Sequence, residues 1–421
     1  MIKLLIISDD FTGALDTSVQ LAMNGATTYV TVDPRLDAAK INSDVEVLVI
    51  DAETRHLKPE EAYQIVYSII KAAQKISIPY IYKKTDSALR GNIGSELTAA
   101  LEASGAKHIH FIPAFPQMGR TTVDGIHYVN GVPIAESVFG SDHFDPVCYS
   151  SVSEIIASQS SIETHIIGRE KNGRGVPAKG ILVHDAISDQ DFENIAAELM
   201  ETNDLHLIAG CAGFACILPR ILHLNGEQPQ MPELNPRMFI VCGSINPISV
   251  AQCEYAESKG ARRFRLTPGQ KLSPEWAQTR DSESLVQEIL NSCQNHPVVI
   301  LDTNGAGDPE RTDSYAAGHG FSPEQTRMNI VASMGHLTER LIDIGLDSTI
   351  LIMGGDLLFQ FIKQAGMKAI APVCELKRGI VLSQVTYKGK KRNIISKSGG
   401  FGDKALFMDL SEMLEKLSGS K

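Results

Sequence analysis

Two adjacent carboxylates, Asp9 and Asp10, follow an apolar run, Leu4 to Ile7, that reads as a buried parallel strand, and precede a glycine-containing segment that reads as the start of a helix. One acid is enough to cap a helix, because its oxygen accepts an orphan N–H and its charge suits the positive end of the helix dipole. The other has no capping duty. In open α/β sheets ligands bind at the carboxyl ends of strands, so the second carboxylate is either a solvated acid or one placed to hold a metal, orient a hydroxyl or accept a proton. Asp10, nearer the turn, is the better candidate base, with Asp86 in reserve.

Cations recur at the ends of other apolar runs. KKTDSALRGNIGSEL gathers Lys83, Lys84, Asp86, Ser87 and Arg90 within eight residues, VLVIDAETRHL ends with Asp51, Thr54 and Arg55, and HFIPAFPQMGRTT leads to Arg120. The bland reading of the first is a solvated helix start capped by Asp86 or Ser87. Convergent cations in a chain of formal charge −11 instead imply a small anionic substrate, most simply a carboxylate gripped by Arg in bidentate fashion.

Three glycine-bearing turns follow apolar runs in the second half: CGSINP with Gly243 and Ser244, MGGD with Gly354 to Asp356, and SGGFGD with Gly399, Gly400 and Gly402. Such turns let backbone amides approach phosphate oxygens. The chain has neither G-x-x-x-x-G-K-[ST] nor G-x-G-x-x-G. LDTNGAGD, ending at Asp308, looks like a ribokinase-type signature, but the residues after it lack an apolar helix face, and a surface loop is expected there.

These residues need strands and helices to hold them. KLLIIS, EVLVIDA, YIYKK, HIHFIPA, ILVHDA and LHLIAG alternate with helical stretches such as PEEAYQIVYSIIKAAQK. A polar, proline-bearing segment, Leu222 to Pro236, separates them from a second alternation of MFIVCGS, PVVILDT and STILIMGG. The last stretch suggests one or two antiparallel strands, a glycine-rich loop and a closing helix. The expectation is α/β: two α/β domains, 1–225 and 236–421, with mostly parallel sheets covered by helices and an active-site cleft between them.

With 421 residues, 43% apolar and 21% charged, the composition is that of a globular chain. The 50 acidic residues outnumber the 39 basic ones without a basic block, which excludes a nucleic-acid or anionic-membrane surface. No apolar stretch is long enough to span a bilayer or serve as a secretory signal. The seven cysteines show no zinc-ligand spacing and read as free thiols in a reducing, cytoplasmic setting. Oligomeric state is not legible.

Taken in order, DDFTGALDT, DAETRHL, KKTDSALRGNIGSEL, FIPAFPQMGRTTVDGIHYVNG, the turn at Ser244, MGGD and KSGGFGD resemble the four-carbon acid sugar kinase family from the first strand to the last helix. The resemblance implies an N-terminal sugar-acid domain, a C-terminal ATP domain, and phosphorylation of a terminal hydroxyl with ATP and Mg²⁺. By position it assigns Asp10, Arg55, Lys84, Asp86, Ser87 and Arg90 to the substrate. Ser244, Gly354, Gly355, Asp356, Leu357, Gly399 and Gly400 fall to the nucleotide, and no metal ligands are assigned. Two positions depart from the family pattern: Leu357 and Leu358 stand where Thr-Ala is common, and Ala88 where Thr is common. DTSVQLAMNG points to D-threonate or D-erythronate, with 3-oxo-tetronate 4-kinase, or a catalytically silent sugar-acid sensor, as the alternatives.

Overall fold

A computed structural model describes residues 2–35, 41, 44–142, 145–169, 179–224, 228–304, 308–397 and 400–419. The chain divides into two compact units, Met1–Pro229 and Gln230–Lys421.

In the first unit, β1 (Leu4–Ser8), β2 (Thr28–Thr31), β3 (Val47–Asp51), β4 (Tyr80–Lys84) and β5 (His108–Ile112) are the first strands of the main sheet. A hairpin of β6 (Arg120–Val123), β7 (Ile126–Val129) and β8 (Val132–Pro133) then interrupts the series. The main sheet resumes with β9 (Thr164–Ile167), β10 (Gly180–His184) and β11 (Leu207–Gly210). Its order is β2-β3-β1-β4-β11-β5-β10-β9, and every pairing is parallel. All carboxyl ends therefore share one edge. The strand order reverses at β1, which sets Asp9 and Asp10 where such sheets bind ligands.

Three helices fix the loops of that edge. Asp10 is the N-cap of α1 (Phe11–Met23), accepting from the Gly13 N–H at 2.9 Å. α2 (Pro59–Lys75) opens with Pro59, Glu60 and Glu61, all suited to a helix start, and buries Val66, Ile69, Ile70 and Ala73 against the sheet. α3 (Ile93–Ser104) ends at Gly105 in the left-handed region, φ 73°. Leu5, Ile7, Leu48, Ile50, Leu97 and Phe111 belong to the same core.

The second unit holds β12 (Met238–Cys242), β13 (Arg262–Arg265), β14 (Val298–Asp302), β15 (Thr349–Met353), β16 (Ile370–Lys377), β17 (Ile380–Tyr387) and β18 (Lys390–Lys397). The series β13-β14-β12-β15-β18 is parallel, and β18-β17-β16 is antiparallel. Helices Pro247–Ser258 and Leu406–Gly419 pack with these strands, the latter burying Leu406, Phe407, Leu410 and Leu414. Among the described residues no helix is long and apolar enough to cross a membrane.

The structure corrects several expectations. A helix, not a loop, begins at Asp308 and runs to Gly318; its polar sequence still buries Thr312 and Ala316. Neither Asp86 nor Ser87 caps a helix. Asp86 instead accepts from the Ala88 N–H at 3.1 Å, Leu89 takes φ 57°, and α3 starts at Ile93. The antiparallel tail has three strands, β16 being the additional one. Of the seven cysteines, Cys211, Cys242, Cys253 and Cys293 are buried, whereas Cys148 is exposed.

Candidate functional site

The carboxyl edge of the first unit carries a compact set of charges. Arg55, in the loop between β3 and α2, donates to Asp9 Oδ2 from Nε at 3.1 Å and from Nη2 at 3.0 Å. Its Nη1 lies 2.8 Å from Asp10 Oδ2, and its Nη2 lies 3.4 Å from Asp86 Oδ1. Lys84, the last residue of β4, sets Nζ 3.4 Å from Asp9 and 3.7 Å from Asp10. Arg90 clasps Asp86 through Nε at 2.9 Å and Nη2 at 3.0 Å. Asp10, Arg55, Lys84, Asp86 and Arg90 are thus brought together, with the half-buried Ser87 in the same turn.

Burial and pairing compete in this cluster. Burial pushes the Asp9 carboxyl up, but Arg55 and Lys84 outweigh it and hold it down to about 2. Asp86 is opposed by burial in the same way and is held well below the carboxylate range by Arg55 and Arg90. Asp51, just behind, has little cationic support, so burial and its neighbours Glu53 and Asp10 raise it well above that range. The two adjacent acids differ in access: the Asp9 side chain is 4% exposed and that of Asp10 is 23% exposed. Asp10 is the more accessible of the two.

Two glycines make room for these charges. A Cβ on Gly13 would lie 2.0 Å from Lys84 Nζ and 2.5 Å from Asp10 Oδ1. Gly91, at φ 84°, lets the backbone pass against the Arg55 side chain, where a Cβ would sit 3.0 Å from Cγ. Behind the cluster, fully buried Lys83 pairs with Glu96 of α3 at 2.9 Å and donates to the Lys84 carbonyl at 2.6 Å, while Thr54 donates to the other Glu96 oxygen. Asn92 ties the same loops by donating to the carbonyls of Thr54 at 2.8 Å and Leu57 at 2.9 Å. These contacts fix the ends of β3 and β4 relative to each other.

The β6–β8 hairpin borders the cluster. Buried His127 has Nε2 3.0 Å from the Ser87 carbonyl and Nδ1 3.1 Å from the Thr122 hydroxyl; burial holds its ring down to about 4, so the neutral ring donates to Ser87. Arg90 and Arg120 both lie over the Phe139 ring, at 5.4 and 5.7 Å from its centroid.

The second unit offers a different edge. Ser244 follows β12; its hydroxyl accepts from the Asn246 N–H at 3.3 Å and its carbonyl from the Asn304 side chain at 2.8 Å. Gly354, at φ 107°, caps the helix Gly355–Gln364 and donates its N–H to the Lys397 carbonyl at 3.1 Å. A Cβ on Gly243 would touch the Leu357 side chain at 3.3 Å, so the first two glycine turns are in contact. Leu357 and Leu358 are buried, leaving Leu357 only backbone groups for a ligand. Asp356 points outward and pairs with Arg327 at 2.6 Å. Gly399 lies outside the described residues. Gly400 has no positive φ, which belongs to Gly402 (φ 79°), and a Cβ there would meet only Asn246 at 3.9 Å. Position 400 therefore has room for a side chain within the described residues. Lys397, at the end of β18, is buried beside Cys242 and Cys253, and burial lowers it to about 8.

Sequence reasoning passed over Gly13, the Lys83–Glu96 pair, the His127 strut, Phe139 and Lys397. Only the hairpin had a clear signal: Asp124-Gly125 and Asn130-Gly131 are the dipeptides of two-residue hairpin turns, and all four residues have positive φ.

A family model described as a sugar-binding N-terminal domain matches residues 4–218, and one described as a nucleotide-binding C-terminal domain matches residues 239–407. The chain is 30% identical over 428 residues, 99% of each chain, to a D-threonate kinase of Salmonella typhimurium. It is 26% identical to a D-erythronate kinase of Heliobacterium modesticaldum over 85% of this chain and 84% of that one. A 3-oxo-tetronate kinase of Pseudomonas fluorescens shares 22% identity over 99% and 97%. In fold, a solved structure from Salmonella typhimurium LT2 covers 97% of this chain and 99% of its own at TM-score 0.80 and 22% identity.

Proposed function

The chain belongs to the four-carbon acid sugar kinase family, and from that premise we propose that it transfers the terminal phosphoryl group of ATP to the C4 hydroxyl of D-threonate or D-erythronate. The observation that carries the reading is the buried charge cluster of Asp9, Asp10, Arg55, Lys84, Asp86 and Arg90 at the reversal point of the first sheet. D-threonate is favoured because the 30%-identical relative carries that name over the full length.

In this reading Asp10 orients the attacking hydroxyl and takes its proton, while Arg55 and Lys84 hold its carboxylate in place. Phosphoryl transfer depends mostly on positioning and charge neutralisation, so a carboxylate restrained by two cations suits the task better than a strong free base. Arg90 reads the acid's carboxylate: its side chain is 27% exposed, and its Nη1 arm has the loosest partner, Asp142 at 3.8 Å. Ser87 supplies a hydroxyl beside it.

The second unit holds ATP by backbone groups of the Ser244 and Gly354–Leu357 turns and of Gly399 and Gly400. Asp356 stands at the first turn of its helix. Mg²⁺ would be held by the nucleotide phosphates and would neutralise their charge, Asp9, Asp10 and Asp86 each being paired with cations.

A coupled ADP-release assay over a panel of four-carbon acids tests the proposal. Turnover of D-threonate or D-erythronate above 3-oxo-tetronates, with no turnover of the neutral tetritol, is expected. Equal turnover of the tetritol would remove the carboxylate-reading role, and a preference for a 3-oxo acid would reassign the substrate.

A further inference from the structure

The amino edge of the first sheet, opposite Asp9 and Asp10, carries a second cluster. β5 enters with His108 and His110, two residues apart and hence on one face of the strand, and Asp204 stands in the turn that precedes β11. Both rings direct Nε2 at Asp204 Oδ2, His110 from 3.1 Å, and the three donor atoms all lie within 4.8 Å of one another. The far side of His110 is also occupied: its Nδ1 is 2.9 Å from Nε2 of His184, which is itself buried at the end of β10. Either tautomer of His110 satisfies these contacts; with Nδ1–H donating to His184, the Nε2 lone pair of His110 faces a carboxylate oxygen and a bound cation would join the two.

We propose that His108, His110 and Asp204 form a binding site for one Zn²⁺ ion, with His184 as the buried partner that orients His110. A tetrahedral ion with bonds of roughly 2.0 to 2.1 Å separates its donors by roughly 3.3 Å, close to the His110–Asp204 spacing, whereas the partly exposed His108, which hydrogen-bonds the same oxygen directly, would draw back to admit the ion. Zinc-bound histidines characteristically give their second nitrogen to a buried partner, as His110 does. Two imidazoles exclude Mg²⁺, which takes oxygen ligands, so this is not the ion that accompanies ATP. The side chains of His108 and Asp204 are 19% and 34% exposed, which leaves a fourth position open to water. β5 and β11 are neighbours in the sheet, so the ion clamps the start of one to the turn before the other. It lies about a strand's length, roughly 15 Å, from the carboxyl edge and acts on stability, not on transfer.

The test uses the full chain stripped with chelator, titrated with Co²⁺ and followed by visible absorption, then displaced by Zn²⁺. One equivalent of Co²⁺ is expected to give a tetrahedral ligand-field band that Zn²⁺ removes, and Zn²⁺ is expected to raise the Tm by several degrees. Asp204→Asn and His108→Ala should both abolish the band and the Tm shift, whereas Cys148→Ser, which removes the exposed thiol, should keep them. His108 and Asp204 are partly exposed, so circular dichroism of each variant should match the wild type. Absence of the band in the wild type, or a band that survives both substitutions, overturns the site.

Discussion

The carboxyl edges of the two units use opposite means to present the binding surfaces proposed for them. In the first, side chains carry it: three carboxylates and three cations within salt-bridge distance, with Lys83 and Glu96 buried behind them. In the second, the main chain carries it, through glycine turns at 243 and 354 and the start of the helix Gly355–Gln364, with Lys397 among its buried charges. The difference follows from what each edge is proposed to recognise. A four-carbon acid has one carboxylate and several hydroxyls that must be told apart, which takes fixed side chains. A phosphate chain presents many equivalent oxygens, which N–H groups meet without being selective.

The largest expected effect comes from removing the reachable carboxylate. Asp10→Ala should cut turnover by about a hundredfold to ten-thousandfold and destabilise α1 by about 1 kcal/mol through loss of its cap, as read by ADP release and thermal melts. Next is Gly13→Ala, whose new Cβ would collide with Lys84 Nζ and Asp10 Oδ1. Turnover should fall about tenfold to a hundredfold with ADP binding unchanged, because a displacement near 1 Å is enough for such losses. Wild-type turnover in this variant would show that Lys84 has room to move.

Gly354→Ala probes the other edge. Its φ of 107° is strained for any L side chain, so a stability loss of about 1–3 kcal/mol and a raised KM for ATP are expected, with the sugar-acid KM unchanged. Gly400→Ala, by contrast, should cost little stability, because the position has ordinary φ and open space, so a raised KM for ATP there would come from the new methyl group meeting the nucleotide.

The smallest effects are in pH dependence, and in both of two separate windows stability rises with pH. Asp9 is held down to about 2 from an ordinary 3.8, so the stability it contributes is complete above pH 4 and is lost as the pH falls toward 2. Asp9→Asn should be less stable at neutral pH and flatter in that window. Lys397 is lowered to about 8 from 10.5, so between those values the unfolded chain binds a proton that the folded chain does not. Stability should therefore rise from pH 8 toward 10.5 in the wild type, and Lys397→Met should lack that rise.

How much of this was legible in the sequence differs between elements. The long apolar strands and the motifs at their ends announce themselves by pattern. Short strands such as β2 (TYVT), β9 (THII) and β13 (RRFR) did not, since four residues with polar or charged members give no clear alternation. Asp10, Arg55, Lys84, Asp86 and Arg90 could be nominated from residue type and position. Their mutual saturation could not, because contacts between Arg55 and Asp9, 46 residues apart, arise only when β1 and β3 pair. The same holds for Gly13, whose necessity is set by a lysine from another strand, and for Lys83, whose partner lies on α3.

The central claim is that the first unit's side-chain cluster reads the acid while the second unit's edge holds the nucleotide. Calorimetric titration of D-threonate and of ADP into Arg55→Ala, with Arg55→Lys as the charge-preserving companion and circular dichroism to establish folding, tests it most directly. Removing the guanidinium leaves Asp9, Asp10 and Asp86 without the cation they share, so an anionic ligand should lose about 2–5 kcal/mol of binding. ADP affinity should stay within about twofold of wild type, and Arg55→Lys should recover part of the acid binding, since an ammonium restores charge without the fork. A folded Arg55→Ala that loses ADP and keeps D-threonate would contradict the account and reverse the roles of the two units.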